Sequence, residues 1–244
     1  MRQSRLFVLQ DLAEGALIAL DPAPSHYLRN VLRVTVATPV TLFNGQGGEH
    51  LGHIASISKS AVGVQLRHFS TTDPTSPLTV NLGLCITKRD AMDTAVQMAT
   101  ELGVSQIQPV LSEHTSVGRQ AAAKRSSHWQ QIIYSACEQS GLNRPPTLGA
   151  VTPLDTWLAS ATGDLKLVAD PSGRVNLLTL AGTPQSIDLL IGPEGGFAEA
   201  ELARAAHQGF ICAGLGPRIL RAAHAPAALI SLLQARFGDL QPFG

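Results

Sequence analysis

A short apolar run, Leu189-Leu190-Ile191, stops in a glycine-rich stretch, Gly192-Pro193-Glu194-Gly195-Gly196-Phe197, and a helical pattern takes over across residues 198–208. A run with no alternating polar positions suits a strand covered on both faces, as in a parallel sheet. The glycines then permit backbone conformations and close approaches that side chains forbid. The unpaired N–H groups of the following helix face the same turn. Strand, tight turn and helix in this order point to an α/β sheet, in which ligands bind beyond the carboxyl ends of the strands. The residues alone leave two readings open, a ligand-cradling turn and a plain strand-to-helix connection.

The chain around this stretch divides in two. Ser70-Thr71-Thr72-Asp73-Pro74-Thr75-Ser76-Pro77 has two prolines and no large apolar side chain, so it reads as a linker. The expected domains are residues 1–72 and 77–244. After the linker, strand patterns at 78–86, 105–111, 165–169, 187–191 and 210–213 alternate with helical patterns. The helices are expected at 89–102, 121–139, 153–160 and 198–208, with a last one from Ala225. Alternation of this kind argues for a mostly parallel α/β sheet. The first helix carries Met92, Ala95, Val96, Ala99 and Leu102 on one face; the last places Leu229, Leu232, Leu233 and Phe237 inward.

Before the linker, short strands at 5–9, 16–20, 39–44, 49–57 and 61–69 with turn signals between them suggest a small β-barrel. One helix interrupts them, opening after Pro22 and Pro24 with Ser25 as its expected N-cap. Helical spacing puts His26, Arg29, Asn30 and Arg33 in one stripe, either a solvated face or a strip that contacts RNA phosphates.

Formal net charge is zero, so any RNA contact must come from clustered rather than numerous basic residues. Cys85, Cys137 and Cys212 lack paired or metal-type spacing and are expected to be reduced thiols of a cytoplasmic protein. No secretory leader and no membrane span are expected. His50 and His53 fall on opposite faces of one strand, and no metal set is expected. The glycine turn fits neither the Walker A nor the Rossmann spacing, and no Gly-x-Ser-x-Gly elbow is present.

Taken with a second stretch, Leu215-Gly216-Pro217-Arg218-Ile219-Leu220-Arg221, the glycine turn resembles the paired cofactor motifs of the RsmE family. These are ribosomal RNA small subunit methyltransferases that make N3-methyluridine in 16S rRNA and belong to the SPOUT, or knotted, class. The resemblance covers nearly the whole chain. His26-Tyr27-Leu28-Arg29-Asn30-Val31-Leu32-Arg33 and Leu42-Phe43-Asn44-Gly45 resemble the family's N-terminal PUA-like barrel. Lys88, Asp90, Met92 and Ala99-Thr100-Glu101-Leu102-Gly103-Val104 resemble its first catalytic-domain helix, and Ser112-Glu113 and Glu138-Gln139-Ser140-Gly141 with Asn143-Arg144 also fit.

The resemblance implies an α/β fold with a SPOUT-type C-terminal domain, a deep trefoil knot and an N-terminal PUA-like barrel. It implies S-adenosyl-L-methionine as cofactor, 16S rRNA in the small subunit as partner, a homodimer, and no membrane. Cofactor contacts are then expected from Leu190, Ile191, Gly192, Pro193, Glu194, Gly195, Gly196, Leu215, Gly216, Arg218, Ile219 and Leu220. Uridine N3 carries a proton, so methylation there needs help in removing it or in stabilising the anion. Arg218 and Arg221 suit the second task and Glu194 the first. His26, Arg29, Arg33, Glu138, Gln139, Asn143 and Arg144 are the expected RNA contacts. The chain departs from the family after Arg221: Ala222-Ala223-His224-Ala225-Pro226 stands where x-Glu-Thr-Ala-Pro is usual. That departure keeps two alternatives open, a catalytically weakened RNA-binding paralogue and a SPOUT methylase for another RNA nucleotide.

Overall fold

The computed structural model describes residues 4–240, leaving 1–3 and 241–244 outside. Two compact units form, Met1–Thr75 with Cys137–Pro145, and Ser76–Ala136 with Pro146–Gly244.

In the first unit β1 (Ser4–Phe7), β2 (Leu17–Ala19), β3 (Pro39–Phe43), β4 (Glu49–Ile57) and β5 (Val62–Ser70) form one sheet in the order β1-β3-β4-β5-β2. β1 runs parallel to β3 and the other pairs are antiparallel. Alternate residues Val62, Val64 and Leu66 enter a core with Leu6, Val8, Leu20, Leu28, Leu42 and Ile54.

The helix of this unit differs from its expected form. Helix α1 (Pro22–His26) starts after Asp21, and Ser25 lies inside it, buried. The Ser25 hydroxyl donates to Leu20 O (2.9 Å) and accepts the Val62 N–H (3.0 Å), tying the helix to the sheet. A π-helical turn, Tyr27–Val31, follows. The Val34 N–H bonds back to Leu28 O (3.1 Å) across Arg33, whose φ is 51°. This is a Schellman-type ending with arginine in the left-handed position that glycine usually fills. The helix therefore stops before Arg33, and the wide turn shifts the register, so the expected four-residue stripe does not form.

In the second unit every strand pairing is parallel. Its strands are β6 (Thr79–Cys85), β7 (Gln106–Leu111), β8 (Thr147–Leu148), β9 (Thr152–Pro153), β10 (Leu165–Ala169), β11 (Ser186–Ile191) and β12 (Ile211–Ala213). The order is β12-β10-β11-β6-β7-β8, with β9 also on β7. The connecting helices are α2 (Arg89–Glu101), α3 (Arg119–Ala123), α4 (Ser126–Ser140), α5 (Leu154–Ser160), α6 (Glu199–His207) and α7 (Ala225–Phe237). The single helix expected over 121–139 is thus two, because the Arg125 N–H turns back three residues to Ala122 O and closes the first. In α7 the buried stripe takes Ile230 and Gln234 with Leu229 and Leu233, while Leu232 and Phe237 are half-buried. Gln234 can be buried because both ends of its amide are bonded, to the Ser76 hydroxyl (2.7 Å) and to Leu102 O (3.0 Å).

Leu189, Leu190 and Ile191 of β11 are buried, as a central parallel strand requires. Close packing also depends on missing side chains. A Cβ on Gly83 would lie 2.7 Å from the Trp157 ring, and one on Gly214 would lie 2.4 Å from Gly173 O. At the second place two backbones touch, beside the Asp170 N–H bond to Ala213 O (3.1 Å).

Candidate active site

Four neighbouring parallel strands, β12, β10, β11 and β6, release the chain at the same edge of the sheet. Their following loops enclose a cavity of about 1220 Å³. It is the place where the general rule for open α/β sheets puts a ligand. Of the expected cofactor residues, Ile191, Gly192, Pro193, Glu194, Gly195, Gly196, Leu215, Arg218, Ile219 and Leu220 line it, and so does Arg221. Leu190 does not: its side chain packs into the core with Trp157 and Phe210. Gly216 is also outside the lining and turns the chain with φ 83°. Lys88, Asp90, Asp170 and His224 were not among the expected cofactor or catalytic contacts, yet they line the cavity. A signal was present for Asp170-Pro171, which directly follows an expected strand. His224 lines it from the N-cap of α7, in the segment that departs from the family pattern.

The glycine turn is held on several sides. Glu194 Oε1 accepts the Lys88 N–H (3.1 Å), and the Gly196 N–H closes the turn on Pro193 O (2.9 Å). His114 Nδ1 lies 3.1 Å from Gly195 O and 3.2 Å from Gly196 O. Both neighbours are carbonyls, so this nitrogen carries a hydrogen and donates. Behind the turn sits Glu201, buried, whose carboxylate accepts the Glu113 N–H (2.8 Å) and the Ala198 N–H (3.0 Å). One acid thus caps α6 and pins the loop after β7. Gly192 admits the Phe197 ring, which a Cβ there would meet at 2.9 Å. Burial pushes the neighbouring Cys85 thiol up to about 12, which keeps it inert.

The opposite wall, residues 215–223, has no such ties: among the described residues no side-chain hydrogen bond or ion pair involves it. Arg218 and Arg221 are exposed. Ile219 and Leu220 are 80% and 38% exposed, high values for aliphatic side chains.

The fit to S-adenosyl-L-methionine can be judged from the donor set. Backbone at Gly192, Gly195 and Gly196 is open to close approach, apolar Leu215, Ile219, Leu220 and Leu229 offer a face for an adenine ring, and both charge signs are present for an amino-acid end. The residues fit the group.

The expected RNA contacts lie in the first unit. His26 and Arg33 are exposed. Arg29 Nη1 is engaged with Ser58 O (2.8 Å) and Lys59 O, in the β4–β5 turn. Asn143 is buried: its Oδ1 accepts from Arg5 Nη2 (2.8 Å) and its Nδ2 donates to Thr72 O (2.6 Å). Glu138 accepts the Phe7 N–H (3.0 Å). Burial pushes its carboxyl up, partly offset by that bond and by Arg5. Asn143 and Glu138 are therefore internal ties of the fold, and using them on RNA would cost the bonds they make to the Arg5 guanidinium, the Thr72 carbonyl and the Phe7 N–H. Gln139 is exposed, and Arg144 is exposed while paired through Nε with Asp73 (2.6 Å).

No helix among the described residues is long and apolar enough to cross a membrane. Residues 74–234 match the family described as RNA methyltransferase domain, and residues 20–66 the RNA methyltransferase PUA domain. The chain is 31% identical over 242 residues to ribosomal RNA small subunit methyltransferase E of Buchnera aphidicola subsp. Schizaphis graminum, covering 98% of each. It is 27% identical over 235 residues to that of Bacillus subtilis, covering 92% of each. Among solved structures, ribosomal RNA small subunit methyltransferase E from Neisseria gonorrhoeae bound to S-adenosyl methionine aligns with a TM-score of 0.92 at 35% identity, covering 98% of this chain and 100% of that one.

Proposed function

The chain belongs to the ribosomal RNA small subunit methyltransferase E family, and from that premise we propose that it methylates uridine N3 in 16S rRNA, using S-adenosyl-L-methionine. The observation that carries this reading is the cavity itself, to which the glycine turn and the segment after β12 both contribute walls. S-adenosyl-L-methionine supplies an electrophilic methyl group there. The residues of the chain then have three tasks. Gly192, Gly195 and Gly196 let the main chain hold the ligand in one orientation. Arg218 and Arg221 stabilise the negative charge that spreads to O2 and O4 of the uracil once N3 loses its proton. Glu194, fixed at the cavity edge by the Lys88 N–H, is the candidate proton acceptor.

The same reading divides the chain into an RNA-contacting PUA-like domain, 1–72, and a methyltransferase domain, 77–244. It includes the trefoil knot of the SPOUT class, supported by the strand order and by the touching backbones at Gly173 and Gly214. It also includes a homodimer, supported by exposed Ile219 and Leu220 on the cavity wall, and a cytoplasmic site of action.

Calorimetry with S-adenosyl-L-methionine and nucleoside analysis of 16S rRNA from a deletion strain test the reading. Micromolar binding and loss of N3-methyluridine are expected. Absence of binding at millimolar ligand would favour a weakened RNA-binding paralogue, to which Ala223 and His224 on the cavity wall lend a reason. Loss of a different methylated nucleoside would assign another target.

A further inference from the structure

Four lysine and arginine side chains line the large cavity, against three carboxylates, Asp90, Asp170 and Glu194. The four cations, Asp90 and Glu194 are exposed; Asp170 is half-buried. A charge partly removed from water acts more strongly on what stands beside it. Asp170 is also central. It is the first residue past β10, whose last residue, Ala169, pairs with Ile191 on one side and with Ala213 on the other. Those neighbouring strands lead to the glycine turn and to the segment 215–223, so Asp170 stands between the two walls. Its N–H bonds to Ala213 O (3.1 Å). Its Oδ1 accepts the Ser172 N–H (2.8 Å) and the Ser172 hydroxyl, which fixes the carboxylate. Its Oδ2 makes no hydrogen bond, and the side chain has no ion-pair partner among the described residues. The charge is felt in the fold around it: burial raises the Cys212 thiol, and the Asp170 carboxylate raises it further.

We propose that Asp170 is the counter-charge to the sulfonium of S-adenosyl-L-methionine and makes the cavity prefer the fresh cofactor to the spent one. The proposal rests on the methyltransferase reading above. The amino-acid end of this cofactor carries an ammonium and a carboxylate that offset each other, so its net positive charge is the sulfonium. The spent form, S-adenosyl-L-homocysteine, is neutral at that atom, because sulfur keeps the bonding pair when the methyl group leaves. A cavity with more cations than carboxylates disfavours a cationic ligand unless a carboxylate stands close to its charge. Asp90 lies in the first turn of α2, where the helix end offsets its charge. Glu194 is tied to the Lys88 N–H. Asp170 combines an unbonded carboxylate oxygen, partial burial and a position between the walls. Its other role is to form the turn 170–173, in which Asp170 O accepts the Gly173 N–H (2.9 Å). An asparagine fills that role as well, since its amide oxygen accepts the same bonds from Ser172.

The test is calorimetry of the full-length protein with S-adenosyl-L-methionine and, separately, with S-adenosyl-L-homocysteine. Asp170→Asn keeps the turn and removes the charge. It is expected to weaken binding of the first ligand about tenfold and of the second less than about twofold. Equal weakening of both overturns the proposal, because it places Asp170 on a group that both ligands share, a ribose hydroxyl or the ammonium. Unchanged affinity for both overturns it too. Sinefungin carries an ammonium group near the place of the sulfonium and no transferable methyl group, and it should lose affinity as S-adenosyl-L-methionine does. If it follows S-adenosyl-L-homocysteine, the preference comes from contact with the methyl group and the proposal falls. Ser172→Ala, outside the cavity lining, loosens the turn and keeps the charge, so the ratio of the two affinities should hold. A ratio that collapses there makes the shape of the turn the cause and overturns the proposal. If Asp170→Asn fails to fold, Asp170→Ser, whose hydroxyl can also accept the Ser172 N–H, reads the same ratio. Failure of the two readings is distinguishable: no binding of either ligand to the unaltered protein sinks the methyltransferase reading and this proposal with it, whereas normal binding with an unchanged ratio in Asp170→Asn sinks this proposal alone.

Discussion

The two walls of the large cavity are built in opposite ways. The glycine turn is clamped from behind by Glu201, from the side by His114, and at its edge by the Lys88 N–H. The facing segment, 215–223, is anchored at its ends, by the Asp170–Ala213 bond and the first turn of α7, and leaves Ile219 and Leu220 exposed. A wall of the first kind is preorganised and spends no ligand binding energy on ordering. A wall of the second kind has few ties of its own and gains contacts from whatever covers it. The difference teaches how the walls divide the work: the turn fixes the position of the ligand, and the segment offers exposed surface to cover it.

The largest expected effect is at the root of the loose wall. Gly214→Ala puts a methyl group against Gly173 O, and backbone cannot step aside as a side chain would. A loss of about 3–5 kcal/mol is expected, read by thermal denaturation. A near-normal melting temperature would show that even the root of the wall yields. Next, Glu201→Ala strands the N–H groups of Glu113 and Ala198 and should cost about 2–4 kcal/mol, with weaker cofactor binding. Glu201→Gln keeps one acceptor oxygen and should lose less. Equal cofactor affinity in all three proteins would remove the distinction between clamped and unclamped walls.

Ile219→Ser should barely change stability, within about 0.5 kcal/mol, since the side chain is exposed. It should weaken cofactor binding about tenfold if the segment folds over the ligand. Hydrogen exchange sharpens the same point. Amides of 215–223 should exchange quickly and gain protection with cofactor, while those of 192–197 change little. The reverse pattern would invert the comparison.

The smallest effect concerns the first unit, whose Arg5–Asn143–Thr72 and Glu138–Phe7 ties resemble the clamped wall. The Glu138 carboxyl is held above its ordinary value of 4.5, chiefly by burial. Its contribution to stability is complete below that value and is lost as pH rises through the higher folded-state value. Glu138→Gln, which can still accept the Phe7 N–H, should therefore raise the melting temperature slightly at pH 7–8 and not at pH 4. A gain independent of pH would place the cause elsewhere.

Most strands were legible because their cues are local: apolar runs with no polar partner, closed by glycine or proline. Both cavity walls were legible by resemblance from Ile191 to Gly196 and from Arg218 to Leu220, although Leu190 and Gly216 lie outside the lining. What escaped detection lies in long-range bonding. Ser25 has the composition of a cap but bonds to Leu20 O and the Val62 N–H, a role set by a strand far along the chain. Arg33 fits a helical stripe in spacing and ends the helix instead. Glu138 and Asn143 have the chemistry of RNA contacts, yet the partners that bury them come from residues 5–7 and 72.

By itself, then, the sequence determined most of the strands and helices and the parallel class of the second sheet, because periodicity and turn chemistry act over a few residues, and it marked the two motifs of the cavity walls through their resemblance to a family. Only the tertiary structure decided that Lys88, Asp170 and His224 share the cavity and that Cys137–Pro145 belongs to the first unit. Those facts depend on which distant segments meet, and the contact energies that settle it are not written in any local pattern.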